Sequence, residues 1–285
     1  MGDVMADTLV VERARFEEED SKGQLQASCY AIRFLGSVLG CSLGAVVYNG
    51  AEWGWGLTFS EICTVNALVP ALLLAPAIAF LREEVLPPGT AKSVRAQCRD
   101  IWATISLKAV WRPMSFVYIF NLFQVPNVAW SSFLQLSLGF TPFLLGLMAT
   151  IGSLMTFAGV VAYKRFFFRV SWRLIYAWSV GIITFFRRAE IASQRLALIF
   201  QWNKKYLHLS NYWFALGDDV ITEYIQGLQF LPVCIMYLQL CPDGSEGATY
   251  SMLTTMGNIA LVCASSIGTV LSKVRLWLFI DQFRS

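Results

Sequence analysis

The sequence predicts an all-α, polytopic membrane protein, and three observations carry that prediction. The 285 residues are 56% hydrophobic and only 14% charged, whereas soluble domains carry roughly 25% charged residues. The apolar residues fall into runs of about twenty or more, the length that crosses a bilayer core. The basic residues gather at the ends of those runs and form no continuous patch, which excludes a nucleic-acid partner. About six to seven spanning helices are expected.

Residues 1–25 hold MADTLVVERAR and the acidic run Glu17–Asp20. They lack the basic start, apolar core and cleavage site of a signal peptide. The first span runs from about Gln26 to Tyr48. Gly36, Gly40 and Gly44 recur there every four residues, leaving one bare face that a neighbouring helix can approach. Arg33 lies near its start and has two readings. It snorkels to the interface, or it meets an anionic substrate or an acid on another helix. The Gly- and Trp-rich stretch 50–56 suits an interfacial turn with aromatic anchors. A second span follows at about Phe59 to Leu81, with Pro70 and Pro76 tolerated because neighbouring helices can satisfy the freed carbonyls.

Residues 82–112 form the longest polar connection. Val94, Cys98, Ile101, Trp102 and Ile105 fall at helical spacing opposite Lys92, Arg95 and Arg99, so an amphipathic helix on the membrane surface is expected. The third span, about Pro113 to Gln135, carries Asn121, Gln124, Pro126, Asn127, Ser131 and Ser132. A broken, amide-bearing helix of this kind suits a substrate path, and ordinary hydrogen bonding between helices explains it equally well. The fourth span, about Pro142 to Tyr163, bears no charge and precedes the basic loop of Lys164, Arg165, Arg169 and Arg173. The segment Trp172 to Phe186 is apolar but short, and Arg187, Arg188 and Glu190 interrupt it before a second short run, Leu196 to Trp202. A span at Tyr212 to Leu240 and a last one at about Ala248 to Leu271 complete the set. The LWLFI after Lys273 is too short to cross.

Loop charges place the segment before span one, the 82–112 connection and the 164–173 loop on the cytoplasmic side. Beyond Arg173 the alternation breaks at Lys204, Lys205, Lys273 and Arg275, and charge favours no crossing by 172–202.

The span from Tyr212 opens with Asp218, Asp219 and Glu223. Asp219, Thr222, Glu223 and Gln226 are spaced i, i+3, i+4, i+7 and share one helical face. Acids in a spanning helix usually face a bundle interior or a water-filled path. Two on one face repel, so one should hold a proton readily, which suits a proton-coupled transporter; the plainer alternative is that they sit in water at the membrane edge. Pro232 is expected to kink this helix, Asp243-Gly244 is turn chemistry, and Asn258 is a further polar group at depth. Cys29, Cys41, Cys63, Cys98, Cys234, Cys241 and Cys263 are scattered without a C-x-x-C pair, and His208 is the lone histidine. Neither a metal site, a cofactor nor a disulfide framework is expected. An enzyme is not expected either. Ala215-Leu216-Gly217-Asp218 only brushes the Gly-x-Gly-Asp pattern of intramembrane aspartyl proteases. No Tyr-Asp pair occurs, and Pro70-Ala71-Leu72 lies on the wrong side of it.

Five stretches share a further pattern: DVMADTLVVERAR (3–15), GQLQASCY (23–30), YWFALGDDVI (212–221), FLPVCIMYLQLCPDGSEGATYSML (230–253) and MGN (256–258). Together they resemble the folate–biopterin transporter family of the major facilitator superfamily, over nearly the whole chain. The resemblance implies part of a twelve-helix fold built as two six-helix halves, with Asp3 and Asp7 ending a fourth helix. Residues 1–81 would then close the N-terminal half, 82–112 would be the central cytoplasmic connection, and 113–285 would be the C-terminal half without its last helix. It requires 172–202 to cross as a ninth helix, with Arg187 to Gln194 as an intrusion, and the chain departs from the pattern after Lys273. It implies transport of a folate or pterin, with protons as a possible second cargo and the lipid bilayer as the other partner. The multi-pass membrane is the plasma membrane or a plastid envelope. Asp3, Asp7, Arg33, Asn121, Gln124, Asp218, Asp219, Glu223 and Asn258 are the expected path residues. The competing expectation is a truncated, non-transporting fragment or a partner-binding membrane protein.

Overall fold

The computed structural model describes residues 2–14, 16–18, 23–80, 93–126, 132, 134–136, 139–191, 211–241 and 246–282. Among these the regular structure is entirely helical. The helices are α1 (Gly2–Ala14), α2 (Gln24–Val47), the single turn α3 (Gly50–Trp53), α4 (Phe59–Phe80), α5 (Val94–Ser106) and α6 (Lys108–Phe123). They continue with α7 (Pro142–Ala162), which widens into a π-helical turn at Tyr163–Phe167, then α8 (Trp172–Ile191), α9 (Asn211–Leu240) and α10 (Glu246–Gln282). By length and composition, α2, α4, α7 with its π turn, and α10 over Gly247–Leu271 can each cross a membrane. At ~1.5 Å per residue, the 30 residues of α9 are also long enough.

Local chemistry sets the helix starts. Glu17 places its two carboxylate oxygens 2.7 Å from the amides of Gly23 and Leu25, satisfying donors that the first turn of α2 leaves open. Gly23 itself has φ 97°, and a side chain there would press on Ile235, so only glycine fits this corner. Thr58 and Glu61 bond reciprocally as a capping box ahead of α4, with the Thr58 amide 2.7 Å from the carboxylate. Ser93 caps α5, and Thr141 caps α7 immediately before Pro142. The chain leaves helix at Gln124, two residues before Pro126, because a residue preceding proline is pushed out of the α region.

α7 is the central post. One side packs on α2 and the other on α9. On the α2 side a Cβ at Gly146 would lie 2.9 Å from Ala45 Cβ. On the α9 side a Cβ at Gly159 would strike the carbonyl of Tyr224, and one at Gly227 would strike the carbonyl of Thr156. Backbones therefore touch, which is how helices associate in lipid, where apolar burial supplies no drive. A second group forms where α10 packs on α1 and α6, around Val11, Val117, Tyr250 and Leu253.

Several expectations are corrected here. The Gly36, Gly40 and Gly44 face of α2 meets nothing within 4 Å among the described residues; close approach occurs through Ala45 at its end instead. The third span, expected as a broken helix over about 113–135, starts earlier: helix begins at Lys108, within the expected connection, breaks after Phe123, and is present again at 132 and 134–136. Arg187, Arg188 and Glu190 do not interrupt the helical backbone, which runs unbroken to Ile191, and the run 196–202 lies outside the described residues. α10 likewise continues past Lys273 to Gln282. The Asp243-Gly244 turn is outside the described residues, and α9 runs through Pro232 as one helix.

The backbone contact between α7 and α9 makes a direct test. Gly227→Ala is expected to lower the stability of the detergent-solubilised protein by about 1–3 kcal/mol, read as a lower midpoint of thermal unfolding. Gly181→Ala, where a Cβ meets nothing within 4 Å, should not lower it.

Candidate functional site

Between the two packed groups lies a cavity of about 310 Å³, at the small end of small-molecule sites. Six helices build it. α9 supplies Gln226, Gln229, Phe230, Val233, Cys234 and Tyr237, alternately three and one residues apart and so on one face. α10 supplies Thr254, Gly257, Asn258 and Leu261 by the same spacing. Phe120 and Asn121 come from α6, Gln124 from the break behind it, Tyr176 from α8, Asp7 from α1, and Tyr30 with Arg33 from α2. Rings and amides thus alternate around the wall. Tyr30 meets Phe230 edge-on at 4.8 Å, and Phe120 meets Tyr176 in the same way at 4.8 Å.

A hydrogen-bonded chain runs into this cavity. Gln26 Nε2 donates to the Tyr250 hydroxyl at 2.7 Å. The Tyr250 and Tyr30 hydroxyls are 3.0 Å apart, and Tyr30 lies 3.3 Å from both oxygens of Asp7. Asp7 is an acceptor when ionised, so the single phenolic proton of Tyr30 points to it and that of Tyr250 points to Tyr30. Every donor in the chain is then aimed at the carboxylate, an arrangement in which each bond strengthens the next. Arg33 Nη1 stands 3.9 Å from Asp7 Oδ1 with its guanidinium 5.5 Å from the Tyr30 ring centre. At that distance, with both side chains partly exposed, the ion pair adds little; the phenol chain orients the carboxylate. Two amide atoms beside this system, Gln26 Oε1 and the Nε2 of cavity-lining Gln229, are buried without a hydrogen-bond partner among the described residues. Such groups are costly to leave open.

Of the residues singled out from the sequence, Asp7, Arg33, Asn121, Gln124 and Asn258 line this one cavity. Arg33 meets an acid on another helix, the second of its two readings. Glu223 is elsewhere. It faces α7, where Thr156 Oγ1 donates to its carboxylate at 2.8 Å and Gly152 makes room for its stem. Gln226 and Glu223 therefore look in different directions, against the expected shared face. Asp3 lies in α1, and Asp218 and Asp219 near the start of α9, with side chains outside the described residues. Sequence reasoning missed Tyr30, Tyr176, Gln229, Phe230, Tyr237 and Thr254. The recurrence of Gln226, Gln229, Val233 and Tyr237 along one face was the available signal.

A multi-pass, all-α membrane protein with a polar, aromatic-walled cavity between its helices is the class that this architecture defines. Comparison narrows it: the BT1 family matches residues 1–284, and the chain belongs to that family. It is 26% identical over 282 residues to the folate-biopterin transporter of Synechocystis, covering 99% of this chain and 54% of that protein. It is 27% identical over 185 residues to folate transporter 1 of Plasmodium falciparum, covering 64% of this chain and 35% of that protein. With folate transporter 2 of the same parasite it shares 25% over 275 residues, 95% of this chain and 57% of the relative. The chain spans about half the length of the curated relatives it matches. No solved structure matches it.

Removing the Tyr250 hydroxyl strands buried Gln26 and ends the donor chain. Tyr250→Phe is expected to destabilise the protein by about 1–3 kcal/mol, measured as a drop in unfolding midpoint. Ser42→Ala, whose hydroxyl only bonds back to the Val38 carbonyl of its own helix, should change it by a few tenths of a kcal/mol at most.

Proposed function

We propose that the chain carries a folate or pterin across a membrane, with the cavity between α1, α2, α6, α9 and α10 as the substrate path. One observation carries this reading: five residues scattered from position 7 to position 258 converge on a single cavity whose wall alternates amides with aromatic rings. A pterin is a flat fused heteroaromatic ring with donors and acceptors along its edges. Tyr30, Phe120, Tyr176 and Phe230 offer it aromatic contact, while Asn121, Gln124, Gln226, Gln229 and Asn258 offer it both donors and acceptors. Asp7 would accept from the amino edge of the ring, and Arg33 would meet a glutamate carboxylate of a folate. The transporter names of the relatives support the same substrate class. On this reading residues 1–81 and 113–285 belong to the two halves of a facilitator-type carrier joined by 82–112, and the path lies between them. Proton coupling through Glu223 is the finer part of the proposal, supported by an acid held within a helix interface.

The test is uptake of labelled folate and biopterin by cells expressing this chain, beside a version extended to the length of its relatives. Uptake by the extended form, or by both, is the expected result; uptake by neither rejects the reading. In whichever form transports, Asp7→Asn is expected to cut uptake about 10- to 100-fold, the equivalent of one charged hydrogen bond. Glu223→Gln should flatten the pH dependence of uptake. An unchanged pH profile in that variant would remove its proton role.

A further inference from the structure

A second crevice opens on the outer side of α6 and α8, away from the central cavity. Its volume is about 510 Å³, and Arg112, Pro113 and Phe116 of α6 line it with Trp172, Arg173, Tyr176, Ala177 and Val180 of α8. The two helices meet here through rings: Phe116 stands 5.6 Å from Trp172 and 5.5 Å from Tyr176. Arg173 lies over Trp172 at 5.5 Å. Arg112 and Arg173 are both exposed, and neither has a carboxylate within ion-pair distance among the described residues.

From these residues we infer that the crevice binds an anionic phospholipid of the cytoplasmic leaflet. The order of side chains along each helix carries the assignment. On α8 a cation at 173 is followed by Ala177 and Val180, four and seven residues on and so on the same face. On α6 Arg112 is followed by Phe116 in the same way. Each strip thus begins with a charge and turns apolar over about 6–10 Å of helix rise, the profile of a headgroup phosphate above an acyl chain. Guanidiniums oppose a phosphate diester in charge and offer it paired N–H donors. Trp172 beside them is the amphipathic ring that settles at headgroup depth. Loop charge puts this end of both helices on the cytoplasmic side, where Lys164, Arg165 and Arg169 also lie and where anionic lipids collect beside basic pockets. Tyr176 forms the floor. Its hydroxyl turns inward to the Gln229 carbonyl at 3.2 Å, so its ring is also a wall of the central cavity.

The test uses the whole chain in nanodiscs of phosphatidylcholine with or without phosphatidylglycerol. Phosphatidylglycerol should raise the unfolding midpoint. It should also displace a phosphatidylcholine probe that carries a photoreactive group on its acyl chain from peptides containing Phe116, Ala177 and Val180. Arg112→Gln and Arg173→Gln should each weaken that competition about fivefold, while Arg165→Gln and Arg169→Gln leave the labelled peptides unchanged. Equal competition by added phosphatidylcholine, by soluble glycerol phosphate, or in the Arg112→Gln/Arg173→Gln double variant would overturn the assignment, as would labelling confined to other peptides. Should the double variant not fold, the competition in the unaltered chain decides alone.

Discussion

Helix α9 can lie against α7 only because Gly159 and Gly227 each present bare backbone to a carbonyl of the other helix, Tyr224 on one side and Thr156 on the other. In water such a contact would be one packing detail among many. In hydrocarbon it matters more, because lipid tails solvate leucine as well as another helix does and close van der Waals contact has to hold the pair together. The contact also fixes the rotation of α9 about its axis. With Gly227 against α7, Gln226, Gln229, Phe230, Val233 and Tyr237 must turn into the cavity, where Phe230 meets Tyr30 of α2, and Glu223 must turn toward Thr156. The composition of the cavity wall is therefore a consequence of where two glycines sit.

The second constraint is polar. Gln26, Tyr250, Tyr30 and Asp7 come from α2, α10, α2 again and α1, so their bonds tie one packed group to the other. Each bond is worth about 0.5–1.5 kcal/mol net, but their common direction gives Asp7 a fixed orientation at the cavity edge. Arg33, at 3.9 Å, contributes position more than energy.

The spans were legible because a bilayer demands long apolar runs; α2, α4 and α7 begin and end close to where those runs do, and α10 begins there. The amphipathic α5 followed from period alone. What failed was everything that depends on a distant partner. The stripe of Gly36, Gly40 and Gly44 announces a bare face but not what covers it. Glu223 stood out as an acid within an apolar run, but its donor Thr156, 67 residues away in sequence, did not. Tyr30 and Tyr250 looked like ordinary apolar-run tyrosines until the fold brought their hydroxyls together. Asp7 drew notice only through the family resemblance; Arg33, Asn121, Gln124 and Asn258 drew notice because polar groups at such depth stand out against their neighbours. The aromatic residues between them do not.

Packing changes character across the cavity. On one side α2, α7 and α9 meet backbone to backbone; on the other α1, α6 and α10 form an apolar cluster that also takes in Tyr237 and Leu238 of α9. Between the two groups the cavity is walled by amides, phenols and edge-on rings, with Gly257 beside Asn121 and Tyr237. Opening that wall exchanges hydrogen bonds that water can nearly replace. Separating α7 from α9 would instead forfeit dense van der Waals contact with nothing to replace it. Along the cavity wall Asp7, Tyr30 and Tyr250 are the groups whose bonds water can take over, while Tyr237 and Leu238 keep α9 packed on α1, α6 and α10.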